Sequence, residues 1–226
     1  MGFSYPISGA VVRSGAERAT LVRRTYALVF ASILVTMAGT WLALSNESLM
    51  LAAAKHPIIT FLCSMLPLWM AMRSRNSNAQ SLSFVFLFNV VMGVSISPII
   101  YVYGRTAPGL IGQAALLTLG AFGALTTYAW VSRRDFSAWR SFFTVGLVVL
   151  ILVSLLNMFF QNPGVSLWLA GATVLVFSGL LVYDTWRLRN LYAPDQYVAA
   201  AVNIYLDLLN MFLAILQLLG GGRSRE

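Results

Sequence analysis

The sequence predicts an all-α membrane protein, a bundle of seven transmembrane helices. Hydrophobic residues make up 59% of the 226 residues and charged residues only 10%, whereas soluble domains are about one quarter charged. The hydrophobic residues also come in runs of about 20, the length that a helix needs to cross a bilayer. These two observations exclude the soluble fold classes, and the lipid bilayer is the first expected partner.

Hydropathy along the chain divides it into seven candidate spans. The first 24 residues lack the apolar core of a cleavable signal peptide, so the first span is expected to act as its own insertion signal. The second span is the weakest, since Lys55, His56 and Pro57 place its start near Pro57. The predicted spans are 25–45, 51–72, 81–103, 108–131, 141–160, 166–187 and 196–219.

These spans define an N-terminal segment (1–24), a transmembrane domain (25–219) and a short tail (220–226). No second domain or internal repeat is predicted. Small residues recur in the fourth span, where they favour close contact between helices. Tight packing is therefore expected at Gly112, Ala115, Gly120, Gly123 and Ala124.

Basic residues predict the orientation of the bundle. Cytoplasmic loops of membrane proteins are enriched in Lys and Arg, and one face of the predicted bundle collects eleven of them against four on the other. This places the N terminus, and the segment before the first span, in the cytoplasm. The net charge of +8 then has a topological cause and does not indicate nucleic acid as a partner. The eleven are Arg13, Arg18, Arg23, Arg24, Arg73, Arg75, Arg133, Arg134, Arg140, Arg187 and Arg189.

Cysteine and histidine exclude two kinds of site. Cys63 is the single cysteine and His56 the single histidine, so neither a disulfide within the chain nor a zinc site built on these residues is expected. No cofactor is expected. Arginine predominates over lysine, a weak indication of a GC-rich bacterial genome, and the protein is expected in the bacterial cytoplasmic (inner) membrane.

Two acidic residues, Asp184 and Asp207, lie inside predicted spans, and these are the last two spans. A carboxylate in hydrocarbon costs at least a few kcal/mol, so it is normally paired, protonated or turned toward a polar cavity. The other five acids (Glu17, Glu47, Asp135, Asp195 and Glu226) fall between or outside the spans. The pair is therefore the predicted functional site.

The two aspartates can meet only if the turn between their helices lies midway. Ala193-Pro194-Asp195-Gln196 is a good helix stop and restart at that position. Each acid is then about 11 residues, or roughly 17 Å, from the turn. The same geometry requires the sixth span to continue as helix beyond the membrane, which is expected to carry Arg187 and Arg189 into solvent.

A polar stripe on the last span predicts that this helix is central. Asn203, Asp207, Asn210 and Gln217 recur at spacings of four, three and seven, so they share one face of a helix that is otherwise apolar. Such a face cannot point toward lipid. Asn89 in the third span and Asn157 in the fifth are predicted partners across the bundle, and a role in holding helices together is the commoner one for single amides.

Two close carboxyls predict a response to protons. They cannot both ionise cheaply, so they are expected to share a proton and titrate as a coupled pair. With one proton they form a hydrogen bond that clamps two helices, and without it they repel each other and can bind a hard cation such as Ca²⁺. Arg73 and Arg75, at the end of the second span, are candidates to reach the pair, although topology alone explains at least one of them.

Motifs around the two aspartates resemble the Bax inhibitor-1 family in its bacterial branch. The quoted stretches are Val182–Thr185 and Ile204–Phe212, with weaker matches at Arg133–Ser137, Gly93–Pro98 and Asn157–Phe159. The resemblance covers nearly all of the chain after residue 20.

This resemblance implies seven helices around a central last helix, and a pH-sensitive calcium leak with Asp184 and Asp207 as the sensing dyad. It also implies an arginine latch, for which Arg73 and Arg75 both fit. An acidic residue that some members carry in the second helix is absent here, where the chain reads Phe61-Leu62-Cys63-Ser64-Met65. No catalytic residue is expected, Ca²⁺ is the expected transported ion, and calcium ions and protons are the expected partners.

Two other functions remain open on the sequence alone. Some members of the resembled family modulate membrane proteases or cell death, so a regulatory protein with an unknown membrane partner is one alternative. An intramembrane aspartyl protease is the other, because Tyr183-Asp184 fits half of its motif. The second half does not fit, since Tyr205-Leu206 precedes Asp207 where that family has Gly-x-Gly.

Overall fold

The computed structural model describes residues 15–73 and 79–223. Within these ranges the chain forms eight α-helices and no strand. The first helix starts ten residues before the first predicted span, and the last continues past residue 219. The helices are α1 (Gly15–Leu44), α2 (Glu47–Lys55), α3 (Pro57–Arg73), α4 (Ala79–Thr106), α5 (Leu110–Val131), α6 (Trp139–Phe160), α7 (Pro163–Asn190) and α8 (Tyr197–Arg223).

Six of the described helices are long and apolar enough to cross a membrane, and the predicted second span is divided between α2 and α3. These two helices meet at an angle of 100°. The break follows from Pro57, which has no N–H and disfavours helical backbone at His56 before it. The structure therefore gives six spans, or seven if the bent pair forms one, and α3 begins at Pro57 as the sequence predicts.

Close packing of α1 on α4 depends on two glycines. A Cβ added to Gly93 would collide with the carbonyl oxygen of Thr36, and one added to Gly39 would lie 2.5 Å from the carbonyl oxygen of Val90. The contact also carries a hydrogen bond, because the Thr40 hydroxyl donates to the carbonyl of Gly93 at 3.0 Å. Small residues thus let the two backbones touch.

The prediction of tight packing at the glycines of the fourth span is wrong. A Cβ at Gly112, Gly120 or Gly123 of α5 would meet no atom within 4 Å. Only 17% of the apolar window of α5 is buried, so these glycines lie on a face that no described helix covers. Composition alone could not show which small residues face a neighbouring helix.

Helix α8 is the centre of the bundle, as the polar stripe predicts. Its apolar window is 61% buried, against 39% or less for the other five candidate spans, and it packs against α1, α4, α5 and α7. The Tyr205 hydroxyl shares a hydrogen bond of 2.7 Å with the Thr36 hydroxyl of α1. The ring of Tyr205 stands edge-on to Phe88 of α4, with centroids 5.9 Å apart.

The start of α1 lies beside the turn between α7 and α8. The Arg24 guanidinium sits 5.7 Å from the ring centroid of Tyr197, and Pro194 lines a small pocket with Glu17 and Thr20. We call this side of the bundle the N-terminal face. The ends of α4, α6 and α8 lie at the opposite face.

Candidate functional site: an aspartate dyad with an adjacent arginine

Asp184 and Asp207 meet at the interface of α7 and α8, where their carboxyl groups interact directly with each other. Both are buried, with 8% and 4% of their surface exposed. The turn between the helices occupies residues 191–196, where the backbone N–H of Gln196 donates to the carbonyl of Ala193 at 2.9 Å. The two acids therefore lie at the same depth because the sequence encodes a turn midway between them.

A carboxyl–carboxyl hydrogen bond requires a proton, because two carboxylates have only acceptors. The dyad can therefore form such a bond only while one of its two carboxyls is protonated. The Oδ2 atom of Asp207 is buried and has no hydrogen-bond partner among the residues that the structure describes. That oxygen retains its capacity to accept a further hydrogen bond or to ligate a cation.

Arg187 is the described cation next to the dyad. Its Nη1 atom lies 3.8 Å from Oδ1 of Asp184, and Asp184 precedes Arg187 by three residues, about one turn of α7. Its Cζ atom lies 4.5 Å from the ring centroid of Tyr192, which fixes the guanidinium from the other side. Arg140, at the start of α6, is a second cation that acts on Asp184 through space.

Tyr192 connects this arginine to the last helix. Its hydroxyl accepts a hydrogen bond of 2.7 Å from the Asn203 side chain. Tyr192 lies in the turn after α7, where burial raises the pKa of its hydroxyl well above the ordinary value and keeps the group neutral. Asn203 and Asp207 are one turn apart on α8. The contacts that run from Asp184 through Arg187 and Tyr192 to Asn203 therefore end on the helix that carries Asp207.

Arg187 and Arg189, which are expected to extend into solvent, are both half-buried near the end of α7. Arg189 donates to the carbonyls of Trp130 at 2.6 Å and Ser132 at 3.2 Å. These carbonyls lie at the C-terminal end of α5, where helices leave acceptors unpaired and cations are favourable. The partners of Arg189 come from a helix far away in the sequence, so spacing along the sequence did not show them.

Of the two arginines that the sequence offers as a latch, the structure describes only Arg73. Arg73 is exposed and stacks on its own helix, with Cζ 5.2 Å from the Trp69 ring centroid. Arg75 lies outside the described residues. Arg187 was not singled out for this role, although its spacing of three residues from Asp184 on a helix is a recognised signal for an ion pair.

The other members of the polar stripe, and the two asparagines predicted as its partners, each lie in separate surroundings. Asn210 donates to the carbonyl of Leu206 in its own helix at 2.8 Å. The Gln217 side chain lies 3.5 Å from the carbonyl of Ser166, near the opposite face. Asn89 is fully buried, and its amide has no hydrogen-bond partner among the described residues. Asn157 donates to the Ser166 hydroxyl at 2.7 Å, which joins α6 to α7.

No group of three or more His, Cys, Asp and Glu comes together in the part of the chain that the structure describes. Calcium takes six to eight oxygen ligands, whereas the dyad supplies at most two carboxyl groups. An ion at the dyad would therefore keep much of its hydration shell. Such a site suits brief occupation better than permanent binding.

A multi-helix apolar bundle with two interacting carboxyls at its central helix defines a polytopic membrane protein with a buried titratable site. The chain matches the family described as "Inhibitor of apoptosis-promoting Bax1" over residues 18–224. It therefore belongs to this family, the Bax inhibitor-1 family, as the motifs around the dyad indicate.

Relatives in this family come from distant sources. The chain is 30% identical over 207 residues to "Bax inhibitor 1" of Schizosaccharomyces pombe, covering 90% of this chain and 77% of that protein. It is 32% identical over 206 residues to the "Golgi anti-apoptotic protein" of vaccinia virus strain Lister, with 89% and 85% covered. An "Uncharacterized protein" of Helicobacter pylori strain J99 is 29% identical over 212 residues, with 93% and 90% covered. The family is one of membrane proteins not known as enzymes, in agreement with the prediction.

Proposed function

We propose that this protein is a pH-sensitive calcium leak channel in which the Asp184–Asp207 dyad is the proton sensor. The observation that carries the proposal is the burial of two interacting carboxyl groups on adjacent helices. Calcium and protons are the species that interact with the dyad. The proposed location is a bacterial inner membrane, with the N terminus in the cytoplasm.

The shared proton couples pH to the packing of α7 on α8. With the proton present, the two carboxyls attract each other and hold the helices together. Without it, two negative charges within hydrogen-bonding distance repel each other in a weakly screened environment. A change of one proton thus changes the contact between the central helix and its neighbour, which is a two-state element of the kind that pH switches use.

Arg187 sets the pH at which this change occurs. Its positive charge beside Asp184 stabilises the ionised form of that carboxyl. The Tyr192 ring and the Asn203 hydrogen bond keep the guanidinium in place. We assign to Arg187 the part of a latch that the sequence offered to Arg73 or Arg75.

Calcium influx into liposomes tests the proposal. Purified protein is reconstituted into vesicles that contain a calcium indicator, and influx is recorded between pH 5 and 8. Wild-type protein should give a flux that changes with pH, and Asp184→Asn and Asp207→Asn should each make it flat, because an amide cannot lose the shared proton. Asp135→Asn is the matched control, since Asp135 is an exposed loop residue whose Oδ1 accepts from the Ser137 N–H. An unchanged pH response in both dyad variants would refute the proposal.

The names of two relatives favour a second function. "Bax inhibitor 1" and "Golgi anti-apoptotic protein" describe effects on cell death. The second function that we propose is regulation of a membrane-protein partner, with the dyad serving only to lock the fold. Folded protein that gives no flux above empty liposomes would support this function. An intramembrane aspartyl protease gains no support from membership of a family not known as enzymes.

A further inference from the structure

A second polar region lies far from the dyad. A cavity of about 1270 Å³ opens between α4, α6, α7 and α8 at the face opposite the N terminus. None of the described residues that line it carries a charge. Its oxygen- and nitrogen-bearing side chains include Ser154, Asn157, Ser166, Thr173 and Gln217.

The helix ends around this cavity favour positive charge. Its lining includes the last turns of α4, α6 and α8, at Thr106, Met158 and Gly221, and the first turn of α7, at Pro163. A helix C terminus carries a partial negative charge and an N terminus a partial positive one. Among the helix ends that line the cavity, three C-terminal ends outnumber one N-terminal end and contribute negative potential to it. The Arg105 guanidinium does not line the cavity and stacks 5.5 Å from the Tyr101 ring centroid.

The cavity and the dyad lie on the same two helices. Thr173 precedes Asp184 by 11 residues on α7, and Gln217 follows Asp207 by 10 residues on α8. Both intervals correspond to roughly 15 Å along a helix. The cavity thus lies at a similar distance from the dyad along each helix.

Between these levels the two helices present an apolar layer. Phe177 and Leu181 of α7 and Met211 of α8 are buried in one hydrophobic cluster, with 8%, 0% and 0% of their surface exposed. The Ser178 hydroxyl contacts the sulfur of Met211 at 3.5 Å. Hydrophobic constrictions of this kind exclude water and close ion pathways.

We propose that the cavity is a water-filled vestibule that receives hydrated metal cations on their way to the dyad, and that the Phe177–Leu181–Met211 layer closes it. The path to the dyad rests on the proposed calcium leak, but the hydration and the cation preference of the vestibule do not. Neutral oxygens and helix ends bind cations weakly, which lets an ion both enter and leave.

Thiol labelling tests the vestibule without any measurement of flux. In a Cys63→Ser background, which removes the single cysteine, Thr173→Cys probes the cavity. Leu175→Cys is the matched control, because this residue of the same helix is 73% exposed and does not line the cavity. Ser178→Cys probes the apolar layer. Each variant receives a cationic or an anionic membrane-impermeant methanethiosulfonate from the side opposite the N terminus.

The cysteine at position 173 should react, and those at positions 175 and 178 should not. After division by the rates for a free thiol in solution, the cationic reagent should react at least about threefold faster than the anionic one, given the potential of the helix ends. If the position 173 variant does not fold, Ser166→Cys replaces it. Thermal unfolding of each variant shows whether the fold is kept.

Two results would overturn the inference. Position 173 reacting only with a lipid-soluble maleimide would show that lipid fills the cavity. Equal rates for the two charged reagents, or a faster anionic one, would remove the cation preference. Failure of the calcium leak would appear separately, as normal labelling with no influx into liposomes.

Discussion

Two buried, interacting carboxyls are the basis of the proposed function at the scale of single residues. Their presence was predictable, because charge in hydrocarbon is too unfavourable to be incidental, and their contact follows from a turn midway between them. The arrangement of cations around them was less predictable. Arg187 lies beside Asp184 and Arg189 donates to carbonyls at the end of α5. The sequence assigned both to solvent and offered Arg73 and Arg75 as the latch instead.

Arg187→Gln should move the midpoint of the pH-dependent calcium flux to higher pH. The reason is that the dyad loses the positive charge that favours its ionised form. A change of one unit in the midpoint would correspond to about 1.4 kcal/mol of interaction between the two groups. Flux recorded in liposomes at closely spaced pH values measures this shift.

Arg187→Lys keeps the charge, so its midpoint should stay close to that of the wild type. Arg134→Gln replaces an exposed arginine of the α5–α6 loop and should leave the midpoint unchanged. If Arg187→Gln gives the wild-type midpoint in folded protein, the latch lies elsewhere. Arg75, which the sequence also offered, would then be the residue to replace.

The packing of helices depends on where small residues meet a neighbour. The sequence contains glycines in many spans, and the structure shows that Gly39 and Gly93 lie in the contact of α1 with α4 while those of α5 face open space. Composition marks the residue type, but the partner is decided by the whole arrangement of the bundle. The break before Pro57 was visible in sequence because proline acts through its own backbone.

Gly93→Ala should destabilise the bundle by about 1 to 3 kcal/mol, because the added methyl group forces α1 and α4 apart. Gly112→Ala is the matched control. Its methyl group meets no atom within 4 Å, and alanine is the better helix former by about 1 kcal/mol. Thermal unfolding in detergent measures both, and equal melting temperatures would show that the α1–α4 contact is not tight.

Arg189 stabilises the end of α5 through two carbonyls. Arg189→Gln should lower stability by about 1.5 to 3 kcal/mol, since hydrogen bonds to charged groups are worth this much. Hydrogen exchange at the end of α5 is the direct measurement, and it should quicken there before the rest of the bundle. Exchange that quickens at the dyad instead would assign Arg189 to the sensor.

The whole molecule is a bundle arranged around α8, with the dyad toward one face and a polar cavity toward the other. The central position of α8 was predictable, because a stripe of amides and an aspartate cannot face lipid. The number of spans was less predictable, because the described helices give six spans, or seven if the bent α2–α3 pair forms one. The cavity was not predicted, because its residues come from four helices and only Gln217 belonged to the polar stripe.

The measurement that tests the central claim most directly is a double-mutant comparison of calcium influx. Wild type, Asp184→Asn, Asp207→Asn and the double variant are compared across pH 5 to 8 in the same liposomes. If the two aspartates act as one proton-sharing unit, each single variant should already lose the pH response, and the double variant should add nothing. A single variant that keeps the response, or two partial losses that add in the double variant, would show that the dyad is not the sensor.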